Sequence, residues 1–438
     1  MFRLRAVLAT LLLGAPFTAS AAEITRIASS FDEDDPFDLF VDVGFTRTQH
    51  RSKIVREQVA PGGGRVDANE LWFRGVDSRL NIDLAIGLYR DLQFTFSLPL
   101  ILQQNDNYVF VAGTTEENST IVHNCINPDG SLINPNCLST GAGERGLFTV
   151  GSGVTSRRGG LGNMRFGLAY AFFNQKTDPS KPDWVVGIDY EAPTAAQRDP
   201  SVDNTLEDSE RGNVGDRVHK YTFYTALSRR IGVADPYFKA YYTLPVAGPG
   251  IYSNCFNRTP NTAGGFESPT LGRPNNCFTG PWNRKETGIQ APHMAGFVTG
   301  SEFLAFNDRT KGQQLALDVR ALGNYVTRGR YYNELSSVMG KLLATQDYFQ
   351  VGGMLGVTAS AGQAFKLRAS GTFLYNTDHT LTDEVIGKDI NGNGGVDVET
   401  DPSELNPNFD FRTDLVSRRF RATEGKQLRL DVMATFMF

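Results

Sequence analysis

The chain has 438 residues, with 48 acidic and 43 basic side chains and a formal net charge of −5. This charge argues against a nucleic-acid partner, because proteins that bind nucleic acids neutralise phosphates with clustered lysine and arginine. Beyond the first residues no stretch approaches the roughly 18 consecutive apolar residues of a membrane-spanning helix, which excludes a helical membrane protein. Two classes stay open: a secreted soluble β domain, and a β-barrel whose lipid-facing residues alternate with polar ones.

Residues 1–22 have the order of features of a secretory signal peptide. Arg3 and Arg5 precede a largely apolar run over residues 6–15, and the small residues ASAA follow at 19–22. This order predicts cleavage after Ala21 or Ala22, and the apolar run is shorter than the roughly 20 residues of a spanning anchor. Residues 23–36, EITRIASSFDEDDP, are then an acidic periplasmic tail, either a solvated lead-in or a small plug for the domain that follows.

Twelve segments with alternating apolar and polar residues run from residue 37 to residue 438. The first is FDLFVDVGFT (37–46) and the last is QLRLDVMATFMF (427–438). A period of two places successive side chains on opposite faces of a strand. Most segments have the about 9 to 11 residues that cross a bilayer at the usual tilt. In the last segment one face carries Leu428, Leu430, Val432, Ala434, Phe436 and Phe438.

The connections between these segments alternate in length. Those after even-numbered segments are short, such as YRD at 89–91, whereas those after odd-numbered segments are mostly long and polar. Short turns at one end and long loops at the other are typical of outer-membrane barrels. The sequence therefore predicts an all-β fold, a transmembrane up-and-down antiparallel β-barrel of about 12 strands over residues 37–438, with both termini periplasmic. A soluble sandwich or propeller would have loops of more even length.

Phe438 ends the chain on the apolar face of the last strand. An amphipathic last strand that ends in phenylalanine resembles the assembly signal of bacterial outer-membrane barrels. The resemblance implies that the barrel-assembly machinery and outer-membrane lipid are partners of this chain, and that Phe438 is part of the signal.

Two hairpin segments resemble the outer-membrane family named for the meta pathway of phenol degradation. They are LNIDLAIGLYRDLQFTFSLPL (80–100) and GGLGNMRFGLAYAFF (159–173), and they depart from the family pattern at Asn163, where the family usually has aspartate. The resemblance covers well under half of the chain. It implies a channel in the outer membrane of a Gram-negative bacterium for small, often hydrophobic compounds, without identifying the solute.

Charged residues of both signs fall on the faces predicted to point into the barrel. They form either a charged constriction that selects permeants or a network of ion pairs that fills a narrow lumen. These lumen-lining candidates are Asp42, Arg79, Asp83, Arg165, Asp189, Glu191, Lys239, Asp318, Arg320, Lys366, Arg368, Arg429 and Asp431.

The four cysteines form two local pairs in polar stretches rich in Asn, Pro and Gly. Three connectivities exist, and in an exported protein nearby cysteines close small loops most readily. We expect disulfides between Cys125 and Cys137 and between Cys255 and Cys277.

The segment DINGNGGVDVET (389–400) resembles a calcium-binding loop. Asp389, Asn391, Asn393 and Asp397 stand at positions 1, 3, 5 and 9, but Thr400 replaces the glutamate expected at position 12. The surrounding residues 378–410 hold nine acids and one base, so we expect this loop to repel itself unless a cation binds. Weak external calcium binding and a merely solvated acidic turn both fit the pattern, and we expect no other cofactor.

The sequence favours a passive channel for small, hydrophobic or aromatic solutes over two alternatives. One is a closed barrel whose surface loops bind an external partner. The other is an outer-membrane hydrolase, which needs a serine and a histidine within hydrogen-bond reach. None of the five histidines stands in a recognisable catalytic motif, so we expect no enzyme activity; they are His50, His123, His219, His293 and His379.

Overall fold

One continuous antiparallel sheet follows from the period-two pattern. The computed structural model describes residues 22–28, 39–59, 63–125, 146–148, 150, 153–203, 210–255, 276–277, 282–308, 310–362 and 364–438. The sheet contains β1 Leu39–Val59, β2 Arg65–Tyr89, β3 Leu92–Phe110, β4 Gly153–Leu161, β5 Arg165–Phe173, β6 Asp183–Glu191, β7 Val218–Ser228, β8 Ala234–Ala247, β9 Met294–Asp308, β10 Gln313–Val326, β13 Tyr348–Ala361, β14 Phe365–Asn376, β15 His379–Thr380 and β16 Phe420–Met437.

The sheet closes on itself. β1 pairs with β2 on one side and with β16 on the other, in a register that runs from Phe40 opposite Met437 to Arg56 opposite Phe420. Closure pairs each strand of the path from β1 through β2, β3 and β5 to β16 on both sides, which is what allows a sheet to lie in lipid. The predicted twelve-stranded up-and-down antiparallel barrel is confirmed.

One wall position is shared by two short strands. β4 pairs with residues 100–108 of β3, while β5 pairs with residues 92–97 of the same strand. β4 and β5 therefore act as one interrupted strand. The interruption covers residues 162–164, where the Gly162 amide donates to the Pro99 carbonyl at 2.8 Å. A Cβ atom at Gly162 would lie 3.0 Å from a Pro99 ring carbon, so the close approach favours glycine here.

The outer face of the wall is apolar. Large hydrophobic side chains that point away from the lumen are exposed on successive strands, including Phe45, Ile82, Leu168, Phe223, Phe238, Phe297, Leu317, Leu355 and Leu430. A soluble protein would bury such residues. A band of this kind around a closed barrel fits a hydrocarbon environment.

The two ends of the barrel differ. We call the end with the connections at 90–91, 174–182 and 229–233 the turn end, and the opposite end the loop end. Strand β1 begins at the turn end beside the C-terminus: Leu39 and Phe438 exchange backbone hydrogen bonds of 3.0 and 2.9 Å.

The first outer connection differs from the prediction. It was predicted as a long loop from residue 47 onwards, but β1 continues to Val59 and β2 begins at Arg65. The outer half of β1 reads TRTQHRSKIVREQV and is mostly polar, with Ile54 and Val55 as its buried apolar residues. Because this part of the hairpin extends beyond the apolar band, it lacks the alternation from which the other strands were predicted.

A hydrophobic core fills the loop end. In this core, side chains of β1, β2 and β16 pack against loop residues. Its fully buried members, all at 0% exposure, include Ile54, Leu71, Ile121, Leu335, Leu381 and Phe420. We call the loop residues 111–125, 332–346 and 381–419 the loop cap. A two-stranded sheet pairs β11 Gly329–Tyr331, which directly precedes a cap segment, with β12 Leu343–Thr345, which lies within that segment.

The described helices are short and lie in connections. They are α1 Pro200–Asp203, α2 Arg284–Thr287 and α3 Ser336–Met339, with a 3-10 turn at Pro402–Glu404. No helix in the described ranges is both long and apolar enough to span a membrane.

Candidate channel lumen

The strand register brings charged residues from distant parts of the chain together inside the barrel. Asp42 on β1 lies opposite Asp83 on β2 and Thr435 on β16. Four residues further along β1, towards the loop end, Thr46 lies opposite Arg79 and Asp431. Side chains that alternate inward on neighbouring strands therefore meet at the same height in the lumen.

Asp318 on β10 is the centre of one ion-pair cluster. Its carboxylate is 3% exposed and accepts hydrogen bonds from Arg320 at 2.5 Å and from Arg368 at 2.7 Å. The Tyr237 hydroxyl donates to the other oxygen. Glu302 lies opposite Asp318 on the neighbouring strand β9, so this cluster holds two guanidinium groups and two carboxyl groups.

Glu191 at the end of β6 is the centre of a second cluster. It pairs with Arg165 at 3.1 Å and with Lys220 at 2.9 Å, and it accepts a hydrogen bond from Asn163 at 3.0 Å. Lys220 also pairs with Asp216 at 2.8 Å. Lys220 was not among the predicted residues, although the alternation Lys220, Thr222, Tyr224 in β7 continues back to it.

The other lumen candidates have more local partners. Arg429 pairs with Asp431 at 2.8 Å, and Arg79 pairs with Asp77 at 2.8 Å. The Lys239 ammonium lies 4.0 Å from the centre of the Tyr224 ring. Lys366 forms no ion pair within 4.0 Å in the described part of the chain. Asp189 borders a cavity of about 590 Å³ inside the barrel, which we call the main cavity.

Three cavities lie between these clusters. One, of about 590 Å³, is bordered by the inward side chains of Phe40, Tyr241 and Met294 and, at the wall, by Phe96 and Phe166, which belong to the outward face of their strands; Asp42, Asp83, Arg165, Asp189 and Glu191 also line it. A second, of about 390 Å³, lies on the other side of Tyr241 and is lined by Arg320, Arg368, Arg429 and Asp431. A third, of about 240 Å³, includes Arg79, Arg165 and Lys220.

Residues 22–28 lie inside the turn end, where the sequence left a lead-in and a plug open. The Glu23 amide donates to the Glu302 carboxylate at 2.8 Å. The Ala28 amide donates to the Gln93 side chain at 2.6 Å. The Arg26 guanidinium lies 4.5 Å from the centre of the Phe40 ring. This segment crosses the mouth and forms one wall of the main cavity.

The structure contains one of the two predicted disulfides in full. Cys255 and Cys277 are joined, with their Cα atoms 5.5 Å apart. Cys125 is disulfide-bonded, but Cys137, its predicted partner, lies outside the described residues.

The predicted calcium loop is a tight turn that is exposed to solvent. The Asp389 carboxylate accepts backbone hydrogen bonds from Gly392 at 2.6 Å and Gly394 at 2.9 Å, and Asn393 accepts one from Gly395 at 3.0 Å. The described residues contain no group of three or more His, Cys, Asp or Glu side chains placed to hold a metal. Asn391 and Asp397 belong to the same turn, and calcium binding stays a prediction.

Cations from other loops balance much of the acidic stretch 378–410. Arg330 pairs with Glu384 at 2.6 Å, Arg419 with Asp383 at 2.7 Å, and Lys341 with Asp410 at 3.2 Å. The count of nine acids to one base omitted these partners, because they come from elsewhere in the chain. The expected self-repulsion is therefore smaller than the local composition indicates.

A closed antiparallel barrel with an apolar band outside and charges inside is the architecture of outer-membrane barrels, since lipid requires every wall hydrogen bond to be made internally. The chain is an outer-membrane β-barrel protein.

Comparison with known proteins adds structural neighbours at low similarity. No family model matches the sequence, and no curated protein matches it. An outer membrane channel from Pseudomonas putida F1 is 9% identical, with a TM-score of 0.43 over 97% of this chain and 100% of that one. The Pseudomonas putida toluene transporter TodX is 8% identical (TM-score 0.33, 96% and 95% covered). The Escherichia coli outer membrane protease OmpT is also 8% identical (TM-score 0.29, 92% and 97% covered).

Proposed function

We propose that this protein is a passive, cofactor-free channel for small hydrophobic or aromatic solutes in the outer membrane of a Gram-negative bacterium. The observation that carries the proposal is the cavity of about 590 Å³ inside the barrel, where the inward side chains of Phe40, Tyr241 and Met294 stand among charged groups. Cavities of roughly 300–1,000 Å³ that combine aromatic walls with a few polar groups fit small organic ligands.

The pairing of the lumen charges supports a solute without net charge. Asp318 and Glu191 are each held by two cations, and Arg429 is held by Asp431. Charges paired in this way leave a weaker net field for attracting ions, whereas Asp42, Asp83 and Asp189, which also line the cavity, form no ion pair within 4.0 Å in the described part of the chain. A ring of unpaired charges of one sign would be the arrangement for an ion-selective constriction.

The proposal places the turn end in the periplasm and the loop cap outside the cell. Short periplasmic turns and longer outer loops are usual in such barrels. Phe438 then lies at the periplasmic border of the membrane with 65% of its surface exposed, which suits a signal read by the barrel-assembly machinery. The likeness of residues 80–100 and 159–173 to the phenol meta-pathway family supports the same class of solute.

Conductance in a planar bilayer tests the proposal. Residues 22–28 narrow the turn end, so the purified protein should conduct weakly, and a variant lacking residues 23–28 should conduct more. Liposomes containing the protein should take up a neutral monoaromatic compound faster than empty liposomes. A matched variant that lacks the exposed turn residues Thr310 and Lys311 should behave like the unaltered protein, because this turn lies outside the lumen.

The loop cap favours one alternative, a closed platform that binds an external partner. Its core has several residues at 0% exposure, and the Cys255–Cys277 disulfide lies in the external connection between β8 and β9. A platform would show no conductance and no uptake, with or without residues 23–28. Those two results together would replace the channel with the platform.

The hydrolase alternative finds no support in the described histidine contacts. His50 faces Glu334, His219 contacts Tyr190, His293 contacts Tyr242, and His379 contacts the Thr377 carbonyl. None of these four contacts is a serine–histidine pair within the described ranges. Lipid hydrolysis by the purified barrel would reverse this conclusion.

A further inference from the structure

A buried carboxylate at the turn end has no hydrogen-bond donor. Asp235, at the start of β8, is 0% exposed, and neither of its side-chain oxygens has a hydrogen-bond partner in the described part of the chain. The Arg230 Nε atom is 3.8 Å away, which is too far for a hydrogen bond, and it too has no hydrogen-bond partner. A buried carboxylate in this state is destabilising relative to a paired one, because its desolvation is not offset by donors.

A second buried carboxylate adds to the charge imbalance. Asp183 is 4% exposed, accepts the Gln175 amide at 2.7 Å, and lies 3.5 Å from the Ser228 hydroxyl. Asp183 and Asp235 thus share the single nearby guanidinium of Arg230. Lys176 is a further cation that acts on Asp183, whereas Arg230 is the cation that acts on Asp235.

The Ser228 hydroxyl and the backbone nitrogen of Ala22 both lie beside the Asp235 carboxylate without completing a hydrogen bond to it. Ala22 is 0% exposed and packs against Tyr237 and Val298. Thr25 holds it there: its amide donates to the Ala22 carbonyl at 2.9 Å, and its hydroxyl contacts the Ser228 hydroxyl at 2.7 Å. One of the two groups beside this carboxylate therefore belongs to the residue next to the predicted cleavage site.

Cleavage after Ala21 changes the chemistry of that nitrogen. Residues 19–21, Ala-Ser-Ala, place small side chains where leader peptidases require them. Hydrolysis breaks the bond between the Ala21 carbonyl carbon and the Ala22 nitrogen; water supplies the hydroxyl to Ala21 and a hydrogen to Ala22. The freed α-amine, with an ordinary pKa of about 7.7–8.0, takes a proton from solvent and becomes an ammonium with three donors.

We propose that removal of the export signal between Ala21 and Ala22 creates an α-ammonium that pairs with the Asp235 carboxylate, and that this ion pair anchors residues 22–28 across the turn end of the barrel. Cleavage after Ala22 fits less well, because it would remove a buried residue, and the Glu23 amide already donates to Glu302. The anchor is independent of the solute and of channel activity.

The first test is the N-terminus of the mature protein, determined by intact mass and sequencing. A mature chain that begins at Ala22 is expected. A chain that begins at Glu23, or that keeps the signal, would overturn the proposal.

The second test measures how firmly the segment is held. Trypsin cuts after Arg26, whose guanidinium is paired with Glu23 at 2.9 Å in the anchored segment. Loss of residues 22–26 from the folded protein should be at least about tenfold faster in Asp235→Asn, because losing one partner of a buried charge pair costs 2 kcal/mol or more. Asp178→Asn, which alters an exposed turn carboxylate at the same end, should leave the rate unchanged.

A second variant keeps the test valid if Asp235→Asn does not fold. One glycine inserted between Ala21 and Ala22 moves the ammonium by one residue and leaves every barrel side chain in place. Its cleavage after Arg26 should be as fast as in Asp235→Asn, and the combined variant should be no faster than either alone. If the glycine variant is cut at the unaltered rate, the ammonium is not the anchor, whatever its conductance.

Discussion

The buried ion pair between Arg330 and Glu384 should control the stability of the loop cap. The Arg330 guanidinium donates two hydrogen bonds of 2.6 Å to the Glu384 carboxylate, and the two side chains are 4% and 6% exposed. Arg330 also donates to the Glu286 carbonyl at 2.6 Å, and Asn406 donates to Glu384 at 2.9 Å. The pair therefore joins the connection before β9, the segment after β10 and the acidic stretch.

Glu384→Gln keeps the shape of the side chain and leaves the guanidinium without a counter-charge. Breaking a buried pair by removing one partner costs about 3–5 kcal/mol. The remaining carbonyl contacts of Arg330 favour the lower value, and about 3 kcal/mol corresponds to a roughly 100-fold larger opening constant. The double variant Arg330→Met with Glu384→Met should recover part of the loss, because it leaves no buried charge.

Hydrogen exchange of the cap amides measures this opening. The Asp383 amide donates to the Ala344 carbonyl at 2.9 Å, and the Asn406 amide donates to the Ile386 carbonyl at 2.9 Å, so both report on the cap. Lys388→Met is the control, since its ion pair with Glu286 is about one-third exposed and should be worth under about 1 kcal/mol. Exchange in Glu384→Gln no faster than in Lys388→Met would refute the reasoning.

Alternation was sufficient to predict the barrel wall because lipid imposes it on each strand. Leu428, Leu430, Val432 and Phe436 are each at least 40% exposed on the outside of β16, as their spacing predicts. The outer half of β1 was not predicted because no lipid faces it there, so residues 47–59 have no reason to alternate in polarity.

The candidate lumen was only partly accessible from sequence for a related reason. Alternation indicates which face carries Asp318, but the pairing of Asp318 with Arg368, 50 residues away, depends on the register of three neighbouring strands. Asp216 and Asn163 stand outside the regular strands, so no period marks them. Arg330 and Glu384 meet through irregular loops, for which the sequence has no comparable pattern.

Four further predictions concern the ends of the chain and the cap. Phe438→Ala should reduce the fraction of barrel that resists unfolding in detergent at room temperature on a denaturing gel, whereas Val416→Ala, an equally exposed loop residue, should not; equal losses would remove the special role of Phe438. Peptide mapping without reduction should join Cys125 to Cys137, and a crossed pair would contradict local pairing. Trypsin cleavage at Lys388 should slow at millimolar calcium, as expected for a weak site of about 10⁻⁴–10⁻³ M, and the effect should vanish in Asp389→Ala; identical rates with calcium and with chelator would remove the calcium site.

The last prediction concerns Asp414, whose carboxylate accepts the Glu384 amide at 3.0 Å and the Asp410 amide at 2.8 Å. Burial, together with the negative charges of Asp410 and Glu384, raises the pKa of Asp414 to about 7, against the opposing effect of Lys341. Because the pKa is higher in the folded cap than in the unfolded chain, protonated Asp414 stabilises the cap fully below the unfolded pKa, and this contribution is lost as the pH rises through about 7. Cap stability, measured by exchange of the Glu384 and Asp410 amides and corrected for the intrinsic pH effect, should fall between about pH 4 and pH 7 and level off above that. Asp414→Asn resembles the protonated form and should flatten this slope, since Asp410 and Glu384 have lowered pKa values and stay ionised throughout the window. A slope that is the same in Asp414→Asn would assign the pH dependence to another group.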